Sequence, residues 1–471
     1  MRRAWDVTEF VFMLMLAMTI FLGRESYADV YYADNGLLSN CIGTYNPSTR
    51  VCSGGTSTAY ITIQAAVNAS NADNVIVRAG NYPERVTTAR NGQYIRADGY
   101  VYMRGFSIVH DGCTVDGFDI SGNIATANPS TNAGVWIDAD NVTVINNSVH
   151  DLCGGVYGVN NCIGIYTQYS IPNYRRNAVI RKNHVYNIKN VNVQVSGYNH
   201  LVENNEIGPG VDTNDAFRLL GNGHILRGNY VHDLGWKTVD PHIDFVQCYG
   251  DNSDDCLNFL IEKNFITNCN DSQLFFLSSD GNRFDNVIFR NNIWMNQKDA
   301  GQSFGKIYFY NNTIYNVGSH NCRAIMLRKG IPGDASGSII KNNIFAKTGC
   351  SANNGYYVVQ DAGIVNTVID RNLVWQDTNM SSAPKSAFSE AHGINGFDPK
   401  FVSQSPMNGN DFRLSYGSPA IDAGEPIFGF SDDFSGVGRP QGISWDIGAH
   451  EAVLGGPMPQ GPMPPTNLSV Q

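Results

Sequence analysis

The sequence predicts an all-β chain folded as a parallel β-helix, a solenoid of stacked coils. The first observation is a recurring phrase of alternating apolar residues, then Asn, one residue and an aliphatic residue, as in VTVINNSV and LIEKNFI. The second is its spacing, from 21 residues (Asn291 to Asn312) to 36 residues (Asn147 to Asn183), which is typical of a solenoid. The third is the absence of helical periodicity between the phrases. Such short strands cannot bury both faces alone, so coils are expected to stack about 4.8 Å apart.

The asparagine of each phrase is predicted to form a ladder along the solenoid. Stacked Asn amides can hydrogen-bond from coil to coil, and Asn tolerates the left-handed backbone conformation of a tight corner. The ladder is therefore given a structural role. Phe106 and Phe118 stand at this place in two earlier phrases, where an aromatic stack is expected instead. Aligned on the final aliphatic residue, the predicted ladder is Asn147, Asn183, Asn205, Asn229, Asn264, Asn291, Asn312, Asn342 and Asn372.

The first 28 residues are expected to be a secretory signal peptide. Two arginines precede an apolar run, and a small-x-small pattern ends at Ala28. Asp6 and Glu9 are unusual in such a segment, which leaves a retained membrane anchor as the alternative. No other stretch reaches about 18 consecutive apolar residues, so no other span is predicted. The remaining chain divides into an N-terminal segment and cap at 29–80, coils at 81–375, a C-terminal cap segment at 376–453 and a Pro-rich linker or tail at 454–471.

Cysteine content and charge indicate the compartment and limit the partners. Ten cysteines agree with export, so an extracellular or periplasmic protein is expected. Cys113 and Cys269 have no evident partner, and without a CxxC pair a zinc site is not predicted. The net charge of −10 argues against nucleic acid, and an anionic polymer would need a cation or a local basic column. Candidate disulfides, whose connectivity the spacing leaves open, are Cys41–Cys52, Cys153–Cys162, Cys248–Cys256 and Cys322–Cys350.

Both ends of the solenoid are expected to be capped. The helical spacing of Ile63, Ala66 and Val67 predicts a short helix that covers the N-terminal edge strands. The stretches YITIQAAVNAS and DNVIVRAGNYPERV resemble the start of secreted right-handed parallel β-helix proteins of the pectate-lyase-like superfamily. DFRLSYGSPAIDAG and FSGVGRPQGISWDIGAHE resemble a C-terminal segment common in bacterial members. That segment is expected to pack on the last coil, with structural roles for Asp422, Arg439, Asp446 and His450.

An outward-facing column of side chains is predicted on one strand face. Trp136, Gln194 and Arg218 each lie eleven residues before a predicted ladder Asn and are flanked by inward apolar residues, so alternation directs them outward. In coils with longer loops, Tyr166 and Phe275 are expected to occupy the column position. Asp244 is assigned to it because the alternation in HIDFVQ directs its side chain outward. Aromatic ends and a polar centre suit a glycan chain. The predicted column is Trp136, Tyr166, Gln194, Arg218, Asp244 and Phe275.

The centre of the predicted site lies in residues 212–247, where an insertion at 235–241 enlarges one coil. Arg218 is suited to bidentate binding of a uronate carboxylate. His242 or Lys237 is the candidate base for the adjacent carbon acid, and Asp244 would orient that base or bind Ca2+. The alternative is that Arg218 and Asp244 form an inter-coil salt bridge on a solvated face.

Other polar residues are assigned structural roles because they recur. His150-Asp151 and His232-Asp233 occupy the same repeat position, and His200 and His224 lie five residues before a ladder Asn. A Ca2+ site in the acidic loop DNSDDC, at Asp251, Asp254 and Asp255, is weighed against a merely solvated loop. Its spacing does not match an EF-hand.

The leading hypothesis is a secreted, monomeric polysaccharide lyase that cleaves a uronate-containing glycan by β-elimination. The resemblance implies lyases with a Lys and Arg pair, often with Ca2+, but here Arg218 precedes Lys237, against the usual order. The Gly-His-Gly phrase of related pectin hydrolases is absent from the sequence. A glycoside hydrolase using Asp215 and Asp244 is the first alternative. A non-catalytic glycan-binding or surface module is the second.

Overall fold

In the part of the chain that the structure describes, strands of successive coils pair in parallel and belong to one 37-stranded sheet. The prediction of an all-β parallel β-helix is confirmed. None of the helices among the residues described below is long and apolar enough to cross a membrane. The computed structural model describes residues 30–69, 71–122, 132–155, 162–168, 174–237, 243–250, 255–279, 284–317, 323–330, 334–348, 357–376 and 390–453.

The N-terminal end carries the predicted cap. Helix α1 spans Ile63–Asn68; Thr62 caps it by accepting a hydrogen bond from the backbone of Ala65 at 3.2 Å. The apolar side of α1 is buried against the first coils, as predicted. Around the helix lie the strands Val30–Ala33, Cys41–Tyr45 and Ser57–Tyr60, followed by two long strands that bend through more than one face, Asn74–Thr87 and Tyr94–Ile108.

Each later coil contributes one strand to each of three faces, here named A, B and C in chain order. Face A consists of Val135–Ile137, Ile165–Thr167, Val193–Tyr198, Phe217–Asn222, Ile243–Gly250, Ser272–Ser279, Gly301–Ser303, Ile325–Leu327 and Val358–Gln360. Face B consists of Thr114–Asp116, Thr143–Ile145, Val179–Arg181, Leu201–Glu203, Ile225–Arg227, Leu260–Glu262, Val287–Arg290, Ile307–Tyr310, Ile339–Lys341 and Val368–Asp370.

Face C follows the ladder in each coil. It consists of Asp119–Ile120, Ser148–His150, His184–Tyr186, Glu206–Ile207, Tyr230–His232, Phe265–Thr267, Ile293–Gln297, Thr313–Val317, Ile344–Ala346, Leu373–Trp375 and Ile394–Asn395. Shorter elements are the A–B corner strands Cys256–Leu257 and Phe284–Asp285, the two-stranded sheet Gly210–Val211 with Leu234–Gly235, and the 3-10 helices Leu152–Gly155 and Gly409–Phe412.

The inward residues of the three faces form one continuous apolar core from Ala33 to Val374. Alternation along each short strand explains it, because every second side chain points to the same side. Face A strands show a second regularity, since Gly197 and Gly221 stack at φ 124° and 122°. A side chain on Gly221 would lie 2.0 Å from the carbonyl oxygen of Gly197, so only glycine fits there.

The asparagine ladder lies at the corner between faces B and C. Each buried amide Nδ2 donates to Oδ1 of the next ladder residue, at 2.9 to 3.1 Å. The observed ladder is Asn147, Asn183, Asn205, Asn229, Asn264, Asn292, Asn312, Asn343 and Asn372. The prediction is therefore wrong at Asn291 and Asn342, where the next asparagine takes the ladder position.

Backbone conformation explains this shift by one residue. The left-handed position is the one before the ladder, and Asn291 and Asn342 occupy it with φ 53° and 58°. Their side chains point outward and bind the C-terminal segment, donating to the carbonyl oxygens of Asp432 and Glu425, each at 2.8 Å. The ladder residue itself is not the left-handed one.

The expected aromatic pair is present, although its two members lie on different faces. Phe118 occupies the ladder position, and its backbone N–H donates to Asn147 Oδ1 at 2.9 Å. Phe106 instead pairs with Val135 on face A. The two rings meet edge to face at 4.9 Å inside the core.

The C-terminal segment, residues 390–453, was expected to pack on the last coil. It packs there and also along the outside of face C on earlier coils. Ile394 pairs with Leu373 of the last coil, and Asp432 reaches Lys263 at 2.5 Å, several coils back. Gly448 N–H donates to the Asn342 carbonyl at 2.7 Å. The apolar residues of the C-terminal segment cover the outward side chains of face C at Phe265, Ile293, Met295, Tyr315, Ile344 and Leu373.

Three of the expected disulfides are formed, linking Cys41 to Cys52, Cys153 to Cys162 and Cys248 to Cys256. Cys113 and Cys269 are buried thiols. Burial raises the pKa of Cys269 to about 12, so it is an unreactive core residue. The expected Cys322–Cys350 bridge lies outside the described residues.

Candidate functional site

The first four residues of the predicted column lie in register on face A, although Tyr166 and Gln194 are buried there, at 7% and 8% exposure. Strand pairing places Tyr166 between Trp136 and Gln194, and Gln194 beside Arg218. The residue that follows Arg218 in register is Gln247, and the next is Phe276. The column therefore continues with Gln247, Phe276 and Gln302.

The predictions of outward positions for Asp244 and Phe275 are wrong. Asp244 and Phe275 are fully buried, and Phe275 packs on Phe289 with ring centroids 4.7 Å apart. Phe245 and Val246 both point into the core, so alternation shifts by one residue where the corner passes into the strand. Leu274 and Phe275 are both buried in the same way on the next coil.

The position of Gln247 in the column can be found from a pattern in the sequence. Gln194 and Arg218 each precede a stacked glycine by three residues, at Gly197 and Gly221. Gln247 precedes Gly250 by the same interval. Alignment on these glycines finds the column residue, whereas alternation counted from HIDFVQ does not.

Arg218 is the cation at the centre of the column, and a buried carboxylate holds it. Its Nε and Nη2 donate to Oδ2 of Asp215 at 3.1 and 2.6 Å. The Asp215 side chain is 0% exposed, whereas that of Arg218 is 28% exposed. Asp215 thus fixes the guanidinium from its inner side. The outer side of the Arg218 guanidinium faces solvent, and in the register it lies between Gln194 and Gln247. The structure pairs Arg218 with Asp215 rather than with Asp244, which was its partner in the alternative interpretation of the sequence.

Asp215 and Asp244 lie on neighbouring coils beneath this column. Ala216, which follows Asp215, donates its backbone N–H to the Asp244 carbonyl at 2.9 Å. Both aspartates are 0% exposed. Both carboxylates are therefore buried, and that of Asp215 is bound to Arg218.

The aromatic end of the column is only partly open. Trp136 is half-buried and donates Nε1–H to Gln168 Oε1 at 2.9 Å. Tyr166 is buried to 7% exposure in a small cluster with Ala133, Ile163 and Val191. Trp136 therefore presents more ring surface to solvent than Tyr166 does.

The inserted loop adds groups next to the central coils. Lys237 is exposed, and its backbone N–H donates to Asp212 Oδ1 at 2.7 Å. Trp236 is 36% exposed, and the ammonium of Lys298 lies 5.9 Å from its ring centroid. Trp236 and Lys237 line a shallow cleft of about 240 Å³. His242, the other candidate base, lies outside the described residues.

The recurring histidines have recurring contacts. Nδ1 of His150 and His232 lies 2.7 and 2.8 Å from the aspartate that follows in the sequence. Nε2 of each lies 3.2 Å from a carboxylate of an earlier coil, Asp119 or Glu206. Burial lowers the pKa of both histidines, whereas the neighbouring carboxylates raise it. The net result is a raised pKa for His150 and His232. An arrangement repeated in two coils fits the structural role expected of them.

His200 and His224 form a second, inward ladder. Their rings stack at 5.0 Å, and His224 Nδ1 accepts from the backbone N–H of His200 at 3.2 Å. Their Nε2–H groups donate to the carbonyl oxygens of Ser196 and Leu220, each at 3.0 Å. Burial lowers the pKa of His200 to about 4 and that of His224 to about 3, so both stay neutral and serve the fold.

Of the candidate Ca2+ ligands in the acidic loop, only Asp255 lies within the described residues. Within the described ranges, no group of three or more His, Cys, Asp or Glu side chains is arranged to hold a metal ion. Asp251 and Asp254 lie outside those ranges. The described residues thus supply no Ca2+ site near Arg218, and no step below passes through the ion.

The chain matches no protein-family model and no curated protein. Solved structures similar to it include the pectate lyase Pel9A, at 15% identity and TM-score 0.41, with 90% of this chain and 96% of that chain covered. The PL6 family polysaccharide lyase Pedsa3628 from Pseudopedobacter saltans gives 15% identity and TM-score 0.42, with 69% and 94% covered. The Agl-KA catalytic domain gives 13% identity and TM-score 0.45, with 67% and 62% covered.

Proposed function

We propose that the protein is a secreted polysaccharide lyase that binds a uronate-containing glycan along face A and cleaves it by β-elimination. The observation that carries the proposal is Arg218, held by buried Asp215 at the centre of an outward column. Gln194 and Gln247 flank it, and Trp136 and Phe276 stand farther out along the same register. Neighbouring positions lie about 4.8 Å apart along the axis, so the column tracks an extended chain. The disulfides support secretion.

Arg218 would bind the carboxylate of one uronate and draw negative charge away from it. The ring carbon that bears the carboxylate then becomes more acidic, because its carbanion is stabilised by the same guanidinium. Lys237 or His242 would take the proton from that carbon. The electron pair forms a double bond to the neighbouring ring carbon, and the bond from that carbon to the glycosidic oxygen breaks. The leaving oxygen takes up a proton from water or from the newly protonated base.

The burial of the aspartates favours this chemistry over hydrolysis. A glycosidase needs two carboxylates facing the scissile bond, one of them to protonate the leaving oxygen. Asp215 and Asp244 are both 0% exposed, and Asp215 is bound to Arg218. Buried in this way, neither carboxylate faces a sugar on the outer surface, and Asp215 instead holds the Arg218 guanidinium.

The first prediction tests this site with a panel of acidic and neutral polysaccharides. Cleavage should produce ultraviolet absorbance from unsaturated uronates, and Arg218→Ala should lower kcat/KM about 100-fold or more. Arg218→Lys should not restore the rate fully, because an ammonium cannot reproduce the bidentate fork. The matched control is Arg227→Ala on face B, which removes an arginine paired with Glu262 and should leave activity unchanged.

Three outcomes would contradict the proposal. New reducing ends without absorbance would indicate a hydrolase. Bound oligosaccharide without turnover would indicate a binding module. Full activity in a folded Arg218→Ala variant would remove the reaction from this column.

A further inference from the structure

The face A column continues beyond Gln302 to Met326, which pairs with it on the next coil. Counted from Arg218, the column passes through Gln247, Phe276 and Gln302 before it reaches Met326. Met326 therefore lies four coils from Arg218, about 19 Å along the axis. No step of the proposed elimination uses this last part of the column.

Arg323 lies at the corner that leads into the strand of Met326, and its guanidinium turns toward the column. Its Nη1 donates to Met326 Sδ at 3.8 Å, and its side chain is half-buried. Within the described residues no carboxylate is paired with this guanidinium. Asp299 occupies the equivalent place on the preceding coil, yet it forms no ion pair with Arg323. The segments 318–322 and 347–357, which lead into face A on this coil and the next, contain no Asp or Glu.

Arg328 follows the same strand and, unlike Arg323, is neutralised by a carboxylate. Its Nε donates to Asp361 Oδ2 and its Nη1 to Gln302 Oε1, each at 3.1 Å. Its guanidinium carbon lies 5.5 Å from the centroid of the half-buried Phe304 ring. These contacts fix Gln302 and Phe304 beside the column, so the groups around Arg323 are held in place before a ligand arrives.

We propose that Arg323 forms a distal subsite of face A, which binds the carboxylate of a second uronate in the same glycan chain. A guanidinium offers two parallel N–H donors that match the two oxygens of a carboxylate. Met326 and Phe304 would contact the apolar face of that sugar. This inference rests on the proposed binding of a uronate-containing glycan along face A. Because Arg323 lies about 19 Å from Arg218 along the axis, it would add binding energy without touching the reacting carbon.

The second prediction is tested by calorimetric titration with hexagalacturonate and with hexamannuronate. Arg218→Ala serves as the parent, so that the proposed cleavage does not consume the ligand. For whichever hexasaccharide binds, Arg323→Gln should raise Kd about tenfold, and Arg323→Lys should raise it less, because the charge remains while the fork is lost. The matched control is Arg96→Gln on face B, a half-buried arginine that likewise forms no ion pair with a described residue. Its Kd should equal that of the parent.

A second ligand and a kinetic measurement complete the test. The carboxyl-reduced hexasaccharide should bind the parent and Arg323→Gln equally, since it lacks the group that Arg323 recognises. With Arg218 present, Arg323→Gln should raise KM for the polymer about fivefold or more and lower kcat less than about twofold, which is the pattern of a contact made equally in the ground state and the transition state.

The inference is overturned if Arg323→Gln binds like the parent, if that substitution weakens binding of the acidic and the reduced hexasaccharide equally, or if neither acidic hexasaccharide binds saturably. Binding that depends on Arg323, without any cleavage by the unsubstituted protein, would support the subsite and contradict the proposed lyase.

Discussion

Glu390 shows how one side chain closes a repeated structure. Its Oε2 accepts hydrogen bonds from the backbone N–H of Asn372 at 3.0 Å and from Nδ2 of Asn372 at 3.2 Å, so it stands where the next ladder asparagine would be. Burial raises the pKa of this carboxyl from 4.5 to about 7. The ladder thus ends on a carboxyl group that is largely neutral in mildly acidic solution.

The third prediction concerns the pH dependence of stability through Glu390. Between pH 4.5 and about 7 the folded protein retains a proton that the unfolded chain has lost, so this group's contribution to the free energy of unfolding falls as pH rises. Glu390→Gln should therefore raise the free energy of unfolding by about 1–2 kcal/mol at pH 8 and change it little at pH 4.5. Chemical denaturation at the two pH values measures the difference.

Glu425→Gln is the matched control, with the opposite sign. Lys341 and Arg371 lower the pKa of Glu425, so its ionised form contributes stability that is lost as pH falls. Its replacement should destabilise the protein at pH 8. If both substitutions changed the free energy of unfolding equally at pH 8, ionisation of Glu390 in the folded protein would carry no cost in stability.

At the scale of the element, the asparagine ladder stabilises a corner that apolar packing does not reach. Asn229 Nδ2 donates to Asn264 Oδ1 at 2.9 Å and to the Val202 carbonyl at 3.0 Å. Its Oδ1 accepts from the backbone N–H and the Nδ2 of Asn205, at 2.9 and 3.0 Å. Removal of this amide would break these four hydrogen bonds and would take from the buried backbone N–H of Asn205 its acceptor.

The fourth prediction is that Asn229→Ala lowers the free energy of unfolding by about 2–4 kcal/mol. The control is Asn222→Ala at the half-buried A–B corner, where Asn222 Oδ1 accepts one amide bond from Asn258 at 2.8 Å. That substitution should cost about 1 kcal/mol or less. Denaturant unfolding with an unchanged m-value measures both, and equal losses would contradict the special role of the ladder.

The elements show which features a sequence pattern can predict here. The repeated sequence phrases predict the existence of the coils, their approximate spacing and most of the ladder residues. They do so because period-two alternation and buried amides recur with every coil. They do not resolve Asn291 from Asn292, since two adjacent asparagines satisfy the same pattern and the choice depends on which residue takes the left-handed conformation. They also misplace Asp244 and Phe275, because two successive inward residues at a corner break the alternation. The ion pair of Arg218 with Asp215, three residues earlier, was not predicted from the repeated phrases.

At the scale of the whole molecule, the C-terminal segment fastens several coils together from outside. Arg439 is central to this contact. Its Nη1 donates to Glu451 Oε2 at 2.8 Å, with both side chains 0% exposed, and its Nη2 donates to Gly448 O at 2.9 Å and to Asn291 Oδ1 at 3.3 Å. One guanidinium therefore joins the folded segment to the outer side of the coils.

The fifth prediction is that Arg439→Ala lowers the free energy of unfolding by about 3–5 kcal/mol, because it leaves the Glu451 carboxylate buried without its cation. The loss should spread beyond the segment, since detachment exposes Phe265, Ile293 and Ile344 on three different face C strands. Limited proteolysis should cut the variant within 390–453 before the coils. Arg413→Ala, in the same segment but bound to the Asn410 carbonyl at 2.9 Å, should cost about 1 kcal/mol or less and leave the proteolytic pattern unchanged. A segment that acts only as a terminal cap would give the opposite result, with the coils as resistant to denaturant in Arg439→Ala as in the parent.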